Sequence, residues 1–172
     1  MVARGKVALI FGICAAPFAL AWLAYEQGWT PRRAANHGEL LEPHPLDGPL
    51  APLRGKWVLV TWDAAACPPA CERKLYVMRQ ARLALGKDTA RVERLWLLTD
   101  SERPAARLLS AIEGTHVVRP APQWQRAFPG DVLAHIYLVD PLGNLMMRFP
   151  AAGDPSRMIK DLERLLKYSS VG

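Results

Sequence analysis

Short apolar runs along the chain, typical of buried strands, alternate with segments whose apolar positions recur every three or four residues, as on amphipathic helices. The clearest strand pattern covers residues 56–62, which are rich in β-branched and aromatic side chains and lie between Gly55 and Asp63. A helical pattern with one apolar stripe follows from Cys71 to Leu85, and Gly86 is a suitable C-terminal stop. The sequence therefore predicts a strand that leads through a short loop into a helix.

The same alternation continues to the end of the chain. It predicts a strand at 91–99, a helix at 103–112, a short strand at 115–119, a strand pair at 132–139 and 145–149, and a helix starting at Asp154. Strands separated by helices indicate parallel pairing, and the Asp140–Gly143 segment has the composition of a type I turn between the last two strands. The expected fold class is α/β with one central sheet.

The N-terminal segment is an uncharged apolar run, Val7 to Tyr25, preceded by Arg4 and Lys6. Its length is close to the roughly 20 residues that a membrane-spanning helix needs, and the flanking charges place the N-terminus in the cytoplasm. A cleaved signal peptide is the alternative, with Ala19–Ala21 as its cleavage pattern, but the apolar run continues past that point. We therefore expect an uncleaved anchor over residues 1–25.

Residues 26–52 are rich in proline, glycine and charge, and they predict a linker with one short extended piece around residues 40–41. Two histidines of this linker, His37 and His44, are expected to be solvated. The folded domain is then expected to span residues 53–172 on the exterior side of the membrane, which is the periplasm in a bacterium.

The chain has 172 residues and a net charge of +6, which permits an anionic lipid or an acidic protein as a partner. Nucleic acid is not expected, because no basic run is interleaved with aromatic residues. The basic side chains of the first helix of the domain, at 73, 74, 79 and 82, are expected to form either a solvated face or a surface for a partner or a lipid.

The positions of the cysteines indicate what chemistry the protein performs. Cys14 lies in the apolar run, whereas Cys67 and Cys71 lie together where the first strand gives way to its helix. A helix N-terminus lowers a thiol pKa, and two cysteines one helical turn apart can share a disulfide or a soft metal ion. A disulfide this local braces little of a fold, so the pair points to redox or metal chemistry.

Three motifs, in order, resemble the Sco/SenC family of cytochrome oxidase assembly proteins. Cys67–Cys71, with sequence CPPAC, is similar to the family's Cys-Pro-x-x-Cys, and Thr99–Arg103 is similar to its Val-Asp-Pro-Glu-Arg. Ile136–Gly143 resembles the family's Tyr-Leu-x-x-Pro-x-Gly hairpin. The resemblance extends over residues 38–167 and includes the single N-terminal anchor.

The resemblance implies a thioredoxin-like three-layer fold with a central mixed sheet, plus one N-terminal transmembrane helix in the inner (plasma) membrane. It implies an assembly factor that handles Cu(I), exchanges disulfides, or does both, through Cys67 and Cys71 as metal ligands and catalytic thiols. Cys67 is the expected attacking thiol. The implied partner is the cytochrome c oxidase subunit that carries the binuclear copper centre.

The family's histidine ligand does not match cleanly. It lies five residues before the hairpin tyrosine, which corresponds here to Val132, and the nearest histidine is His135. Because side chains alternate along a strand, an offset of three places His135 on the opposite face unless a bulge intervenes. His135 is kept as a candidate copper ligand, and without it two thiolates suit Cu(I) better than Cu(II).

Two other functions stay open. A general thioredoxin-like disulfide oxidoreductase is disfavoured by the three residues between the cysteines and by the lack of a proline before Val132. A peroxiredoxin is disfavoured by Ala64, where that enzyme has Thr or Ser. A non-catalytic assembly scaffold would use the basic helix face and the loop that holds Trp124 and Phe128, although such aromatics more often pack a loop onto its domain.

Overall fold

The computed structural model describes residues 2–27, 36–46 and 48–171. Met1, residues 28–35 and Asp47, within the predicted anchor and linker, lie outside that description, as does Gly172. The helices are α1 (Val2–Glu26), α2 (Pro69–Ala84), α3 (Ala106–Ala111) and α4 (Pro155–Tyr168). The strands are β1 (Glu39–Pro45), β2 (Trp57–Asp63), β3 (Val92–Leu98), β4 (Thr115–Val118), β5 (His135–Val139) and β6 (Asn144–Pro150). The chain divides into two compact units, Met1–Ala35 and Asn36–Gly172.

The first unit contains α1, a helix of 25 residues with Pro17 inside it. Large apolar side chains on it are exposed, among them Phe11, Phe18 and Trp22. Among the described residues, no helix combines the length and the apolar character that crossing a membrane requires. The predicted transmembrane helix is therefore unconfirmed.

The second unit is built on a six-stranded sheet in the order β1-β6-β5-β2-β3-β4. Strands β2, β3 and β4 pair in parallel, while β5, β6 and β1 pair antiparallel. The predicted α/β class with a central mixed sheet is confirmed. The central strands β2, β3 and β5 are almost wholly buried, as their continuous apolar pattern predicts.

Strand β1 lies inside the stretch predicted as a linker. The carboxylate of Asp161 in α4, itself 1 % exposed, accepts hydrogen bonds from the backbone N–H groups of His37 and Gly38 at 2.7 and 2.8 Å. Gly38 is required here, because a Cβ atom at this position would lie 2.6 Å from the Phe149 ring. The folded unit thus starts near residue 36 and includes residues that the sequence assigned to the linker.

The two faces of the sheet are covered differently. Side chains of α2 and α4, such as Met78 and Leu162, pack on one face against Leu59 and Leu138. The other face is covered by Leu46, Leu50, Phe128 and their neighbours, which belong to loops and 3-10 turns. The third layer of the predicted three-layer fold therefore consists of irregular segments rather than helices.

Two elements differ in extent from their predictions. The strand expected from 132 begins at His135, because Asp131 accepts a hydrogen bond from the Leu133 N–H at 3.0 Å and caps a 3-10 turn over Val132–Ala134. Helix α3 is shorter than expected, since it begins only after Pro104 and Ala105. The final helix starts as predicted, with the Asp154 side chain accepting from the backbone N–H of residue 156.

Candidate functional site

Cys67 and Cys71 form a disulfide at the start of α2, with their Cα atoms 5.1 Å apart. Strand β2 ends at Asp63, and α2 begins at Pro69 with Pro68 as its N-cap. Proline suits the first helical position because its φ angle is preset and its missing N–H would have no partner there. Cys71 therefore lies in the first turn of the helix and Cys67 just before it, as the sequence predicts.

Both cysteines are buried. Cys67 is 4 % exposed and Cys71 is 0 % exposed, whereas the residues around them, Ala66 and 68–70, are exposed. The pair packs against Leu75, Trp96 and Leu98, together with Ala65 and Ile112. The disulfide thus lies directly beneath the surface residues of its own loop, and a reagent reaches it only where that loop moves.

Cys67 adopts a left-handed backbone conformation, with φ of +44°, and no other described non-glycine residue has a positive φ. Its N–H donates to the Ala64 carbonyl at 3.0 Å and closes the tight turn between β2 and α2. For an L-residue with a β-carbon this conformation costs on the order of 1–2 kcal/mol. The loop is therefore held in a strained geometry at the more exposed of the two cysteines.

Asp100, in the loop that follows β3, anchors the cysteine loop. Its two carboxylate oxygens accept the Ala65 N–H at 3.2 and 3.0 Å. Arg119 in turn donates to three backbone carbonyls of residues 100–102 at 2.7–2.8 Å. The Thr99–Arg103 motif thus positions the cysteine loop.

Beneath α2 lies a buried ion pair that the sequence did not reveal. Lys74 is 0 % exposed, and its ammonium group contacts the Asp63 carboxylate at 2.5 Å. It also donates to the carbonyl oxygens of Trp62 and Leu133 at 2.9 and 2.8 Å. Burial raises the pKa of Asp63, and hydrogen bonding and charge from Lys74 partly offset that rise.

The prediction of a solvated basic face is therefore wrong for Lys74, although Arg73 and Arg79 are exposed. The spacing along α2 could have identified Lys74 as buried. It precedes Met78 and Ala81 by four and seven residues, so it lies on the core-facing stripe of the helix. Its acidic partner, Asp63, is the last residue of β2.

His135 does not lie on the face of the sheet that carries the sulfur atoms of Cys67 and Cys71. Residues 136 and 138 of β5 pack with α2, and alternation puts His135 on the other face of the sheet, with Tyr137. Its Nδ1 atom lies 2.7 Å from the Asp131 carbonyl, and its ring centroid lies 5.9 Å from that of Tyr137. In the described part of the chain, no group of three His, Cys, Asp or Glu side chains is placed to hold a metal ion.

The aromatic loop predicted to pack onto the domain does so. The Trp124 and Phe128 rings lie 6.3 and 5.4 Å from the Trp62 ring, centroid to centroid. His44, which was expected to be solvated, places its Nε2 atom 2.7 Å from the Ala127 carbonyl and thus ties this loop to β1. These side chains stabilise the face of the sheet opposite the disulfide.

An open groove of about 440 Å³ runs between α2 and α3 beside the disulfide. Its apolar lining includes Leu75, Leu108 and Ile112, which also pack against the two cysteines. Tyr76, which is 61 % exposed, and the charged residues Glu72, Arg79 and Arg107 form its rim. We call this surface the α2–α3 groove.

A family profile described as "transmembrane-like, thioredoxin-like, C-terminal domain" matches residues 57–169, which include the whole site. The chain belongs to this family. No curated protein sequence matches this member of the family.

Several solved Sco structures share its fold. Apo Sco1 from Thermus thermophilus is 23 % identical with a TM-score of 0.60, and the alignment covers 78 % of this chain and 99 % of that one. Yeast Sco1 with copper bound is 16 % identical with a TM-score of 0.60, over 80 % of this chain and 96 % of that one. BsSco, described with a disulfide switch as a member of the Sco family of cytochrome c oxidase assembly proteins, is 14 % identical with a TM-score of 0.54, over 78 % and 98 %.

The predicted resemblance to Sco proteins is confirmed at the level of the fold. The roles of Cys67, Cys71 and His135 that the resemblance implies stay predictions.

Proposed function

We propose that the chain is a Sco-like factor for cytochrome c oxidase assembly that acts through Cys67 and Cys71. One observation carries the proposal: a disulfide closes at the helix N-terminus of a Sco-like thioredoxin fold. The helix N-terminus stabilises the thiolate that both disulfide exchange and Cu(I) binding require.

In the exchange reaction, the reduced pair would reduce a disulfide of its target. The Cys67 thiolate attacks one target sulfur, forms a mixed disulfide and releases the other target sulfur as a thiolate. The Cys71 thiolate then attacks the Cys67 sulfur, which releases the second target thiolate and restores the Cys67–Cys71 disulfide. Each cycle oxidises one dithiol of this protein, and an external thiol reductant restores it.

The left-handed conformation of Cys67 supports its assignment as the attacking thiol. Cys67 has a φ of +44° in the disulfide-bonded state, and reduction removes one restraint on it, so we propose that the loop then relaxes to a more favourable conformation. The exposed residues on both sides of Cys67 let this movement bring its sulfur to the surface.

As a copper carrier, the reduced pair would take Cu(I) as cargo. Two soft thiolates suit Cu(I), and strand alternation favours the face of Tyr137 for His135, so we propose no imidazole as a third ligand. We therefore propose Cu(I) rather than Cu(II) as the cargo, with Cys67 and Cys71 as the protein ligands.

The α2–α3 groove is the proposed docking surface for the target, because it adjoins the disulfide and is apolar along its floor. The target would be the oxidase subunit that carries the binuclear copper centre. The apolar run in α1 and the basic residues before it support anchoring in the inner membrane, with the domain on the periplasmic side.

Single-cysteine variants test the function. We expect Cys67→Ser and Cys71→Ser each to abolish stoichiometric Cu(I) binding by the reduced protein, because one thiolate cannot hold the ion alone. Both variants should also fail to restore oxidase activity in cells that lack this protein. Cu(I) is measured by competition with a chromophoric chelator, and oxidase assembly by the spectrum of its binuclear copper centre.

Cys14→Ser is the matched control, because Cys14 is exposed and outside the site. It should bind Cu(I) and restore the oxidase as the wild type does. Restoration by both site variants would replace the proposal with a non-catalytic scaffold. Normal oxidase in cells without the protein, together with dithiol activity on unrelated substrates, would favour a general disulfide oxidoreductase.

A further inference from the structure

A second pocket, away from the disulfide, opens between the C-terminal half of α2 and strands β3 and β4. It has a volume of about 420 Å³. Three arginines line it, Arg79 and Arg82 from α2 and Arg94 from β3, and we call it the arginine pocket. Two acids, Glu93 and Glu113, line it as well.

Part of the Arg94 guanidinium group has no hydrogen-bond acceptor among the described residues. The residue is only 3 % exposed, and its Nη2 atom donates to the Glu113 carbonyl at 2.7 Å. Its Nε and Nη1 atoms are buried, and neither has an acceptor among the described residues. A buried charged donor without an acceptor is unfavourable, so this guanidinium favours any oxygen-rich group that reaches it.

The charges around Arg94 do not compensate for its burial. Burial is the largest effect and lowers the pKa of Arg94. Repulsion from Arg82 and then from Arg79 lowers this pKa further, and attraction to Glu93, the weakest effect, raises it. Glu93 is also shared, because it lies 3.9 Å from Arg82 and 3.6 Å from His116. For the pKa of Arg94, repulsion from the two arginines therefore outweighs attraction to Glu93.

We propose that the arginine pocket binds a phosphate-class oxyanion, which accepts hydrogen bonds from the guanidinium groups of Arg79, Arg82 and Arg94. Guanidinium groups suit this ligand because their planar fork presents parallel N–H donors to its oxygens. Arg79 is exposed and free to turn toward the ligand, whereas Arg94 forms the fixed base of the site.

Thermal unfolding of the full-length protein in detergent tests the site with inorganic phosphate as the probe. Phosphate should raise the unfolding temperature saturably, and chloride at the same ionic strength should not. Arg79→Gln should weaken the apparent phosphate affinity about tenfold or more, the loss expected for one charge-assisted hydrogen bond. Arg79 is exposed, so this variant keeps the core intact; Arg94→Gln, where it folds, should abolish the effect.

Arg73→Gln is the matched control, because Arg73 is exposed on the same helix and does not line the pocket. It should keep the wild-type phosphate response. An equal response in Arg79→Gln and Arg73→Gln, or stabilisation by phosphate no greater than by chloride, would overturn the proposal.

A second thermal titration identifies the source of the oxyanion. If soluble short-chain phosphatidylglycerol raises the unfolding temperature of Arg73→Gln more than that of Arg79→Gln, the site takes a lipid phosphate. If only the response to inorganic phosphate changes, it takes a free phosphate. Either result supports the site.

Discussion

Lys74 is a charged residue that lies wholly inside the domain, and its three N–H groups are all used. They meet the Asp63 carboxylate and the carbonyl oxygens of Trp62 and Leu133. One side chain of α2 is thereby tied to the end of β2 and to the turn that precedes β5. A buried charge persists only where it is paired and hydrogen-bonded in this way.

Removing this ammonium group should destabilise the domain. We expect Lys74→Met to lower the free energy of unfolding by about 3–5 kcal/mol, because it leaves the Asp63 carboxylate buried without its partner. Urea unfolding followed by tryptophan fluorescence measures the change. The exposed neighbour Arg73→Met is the control, with an expected change within about 0.5 kcal/mol. A Lys74→Met variant as stable as this control would contradict the role assigned to the ion pair.

At the residue scale, the sequence located the cysteine pair because its motif is local and follows a strand. It did not locate the pairing of Lys74 with Asp63, because a lysine next to an arginine is most often solvated and the partner lies on another element. The displacement of His135 from the site could be argued, because strand alternation is a rule of local geometry.

The connection from β2 to α2 is the element on which the site depends. Asp100 holds its backbone at Ala65, and Arg119 holds the loop that carries Asp100. Neither residue touches α2 directly through these bonds, so they act by restricting the cysteine loop. The loop is therefore pinned at its β2 end, while its exposed part next to Cys67 is less constrained.

Loss of this anchor should expose the dithiol. We expect Asp100→Ala to speed alkylation of Cys67 in the reduced protein severalfold, because the Ala65 N–H loses its acceptor and the loop opens more often. Mass spectrometry after timed iodoacetamide treatment measures the rate. Asp140→Ala is the control, since Asp140 caps the β5–β6 turn through the Leu142 and Asn144 N–H groups. Equal acceleration in both variants would indicate a general loss of stability instead.

Elements with strong internal patterns were predicted well, and those set by distant contacts were not. Strands β2, β3 and β6 and helix α4 lie close to their predicted ranges. Strand β1 was assigned mostly to the linker, because two prolines and an exposed face conceal its pairing with β6. The start of β5 was predicted three residues too early. The Asp131 side chain caps a 3-10 turn over Val132–Ala134, and this cap outweighs the strand propensity of the apolar residues there.

At the scale of the whole molecule, the chain joins an apolar helical unit to a thioredoxin-like unit. The family profile covers residues 57–169 and thus only the second unit. The proposed copper handling and disulfide exchange would belong to that second unit, and the proposed anchoring to the first. We therefore expect truncation to separate the two proposed functions.

Cell fractionation tests the anchoring proposal. The full-length chain should sediment with membranes and stay there through a high-salt wash, because apolar burial does not depend on salt. A chain of residues 36–172 should remain in the supernatant. Release of the full-length chain by salt would show that its net charge of +6, rather than α1, holds it at the surface.

Strand β1 leaves one margin of the sheet unsuited to strand addition by another chain. It carries Pro43 and Pro45, which have no backbone N–H to offer, together with Glu39 and Glu42. The strand at the opposite edge of the sheet is β4, which has four residues and no proline, and its neighbour β3 carries Arg94. The two edge strands therefore differ: β1 disfavours strand addition, whereas β4 has no proline and adjoins the arginine pocket.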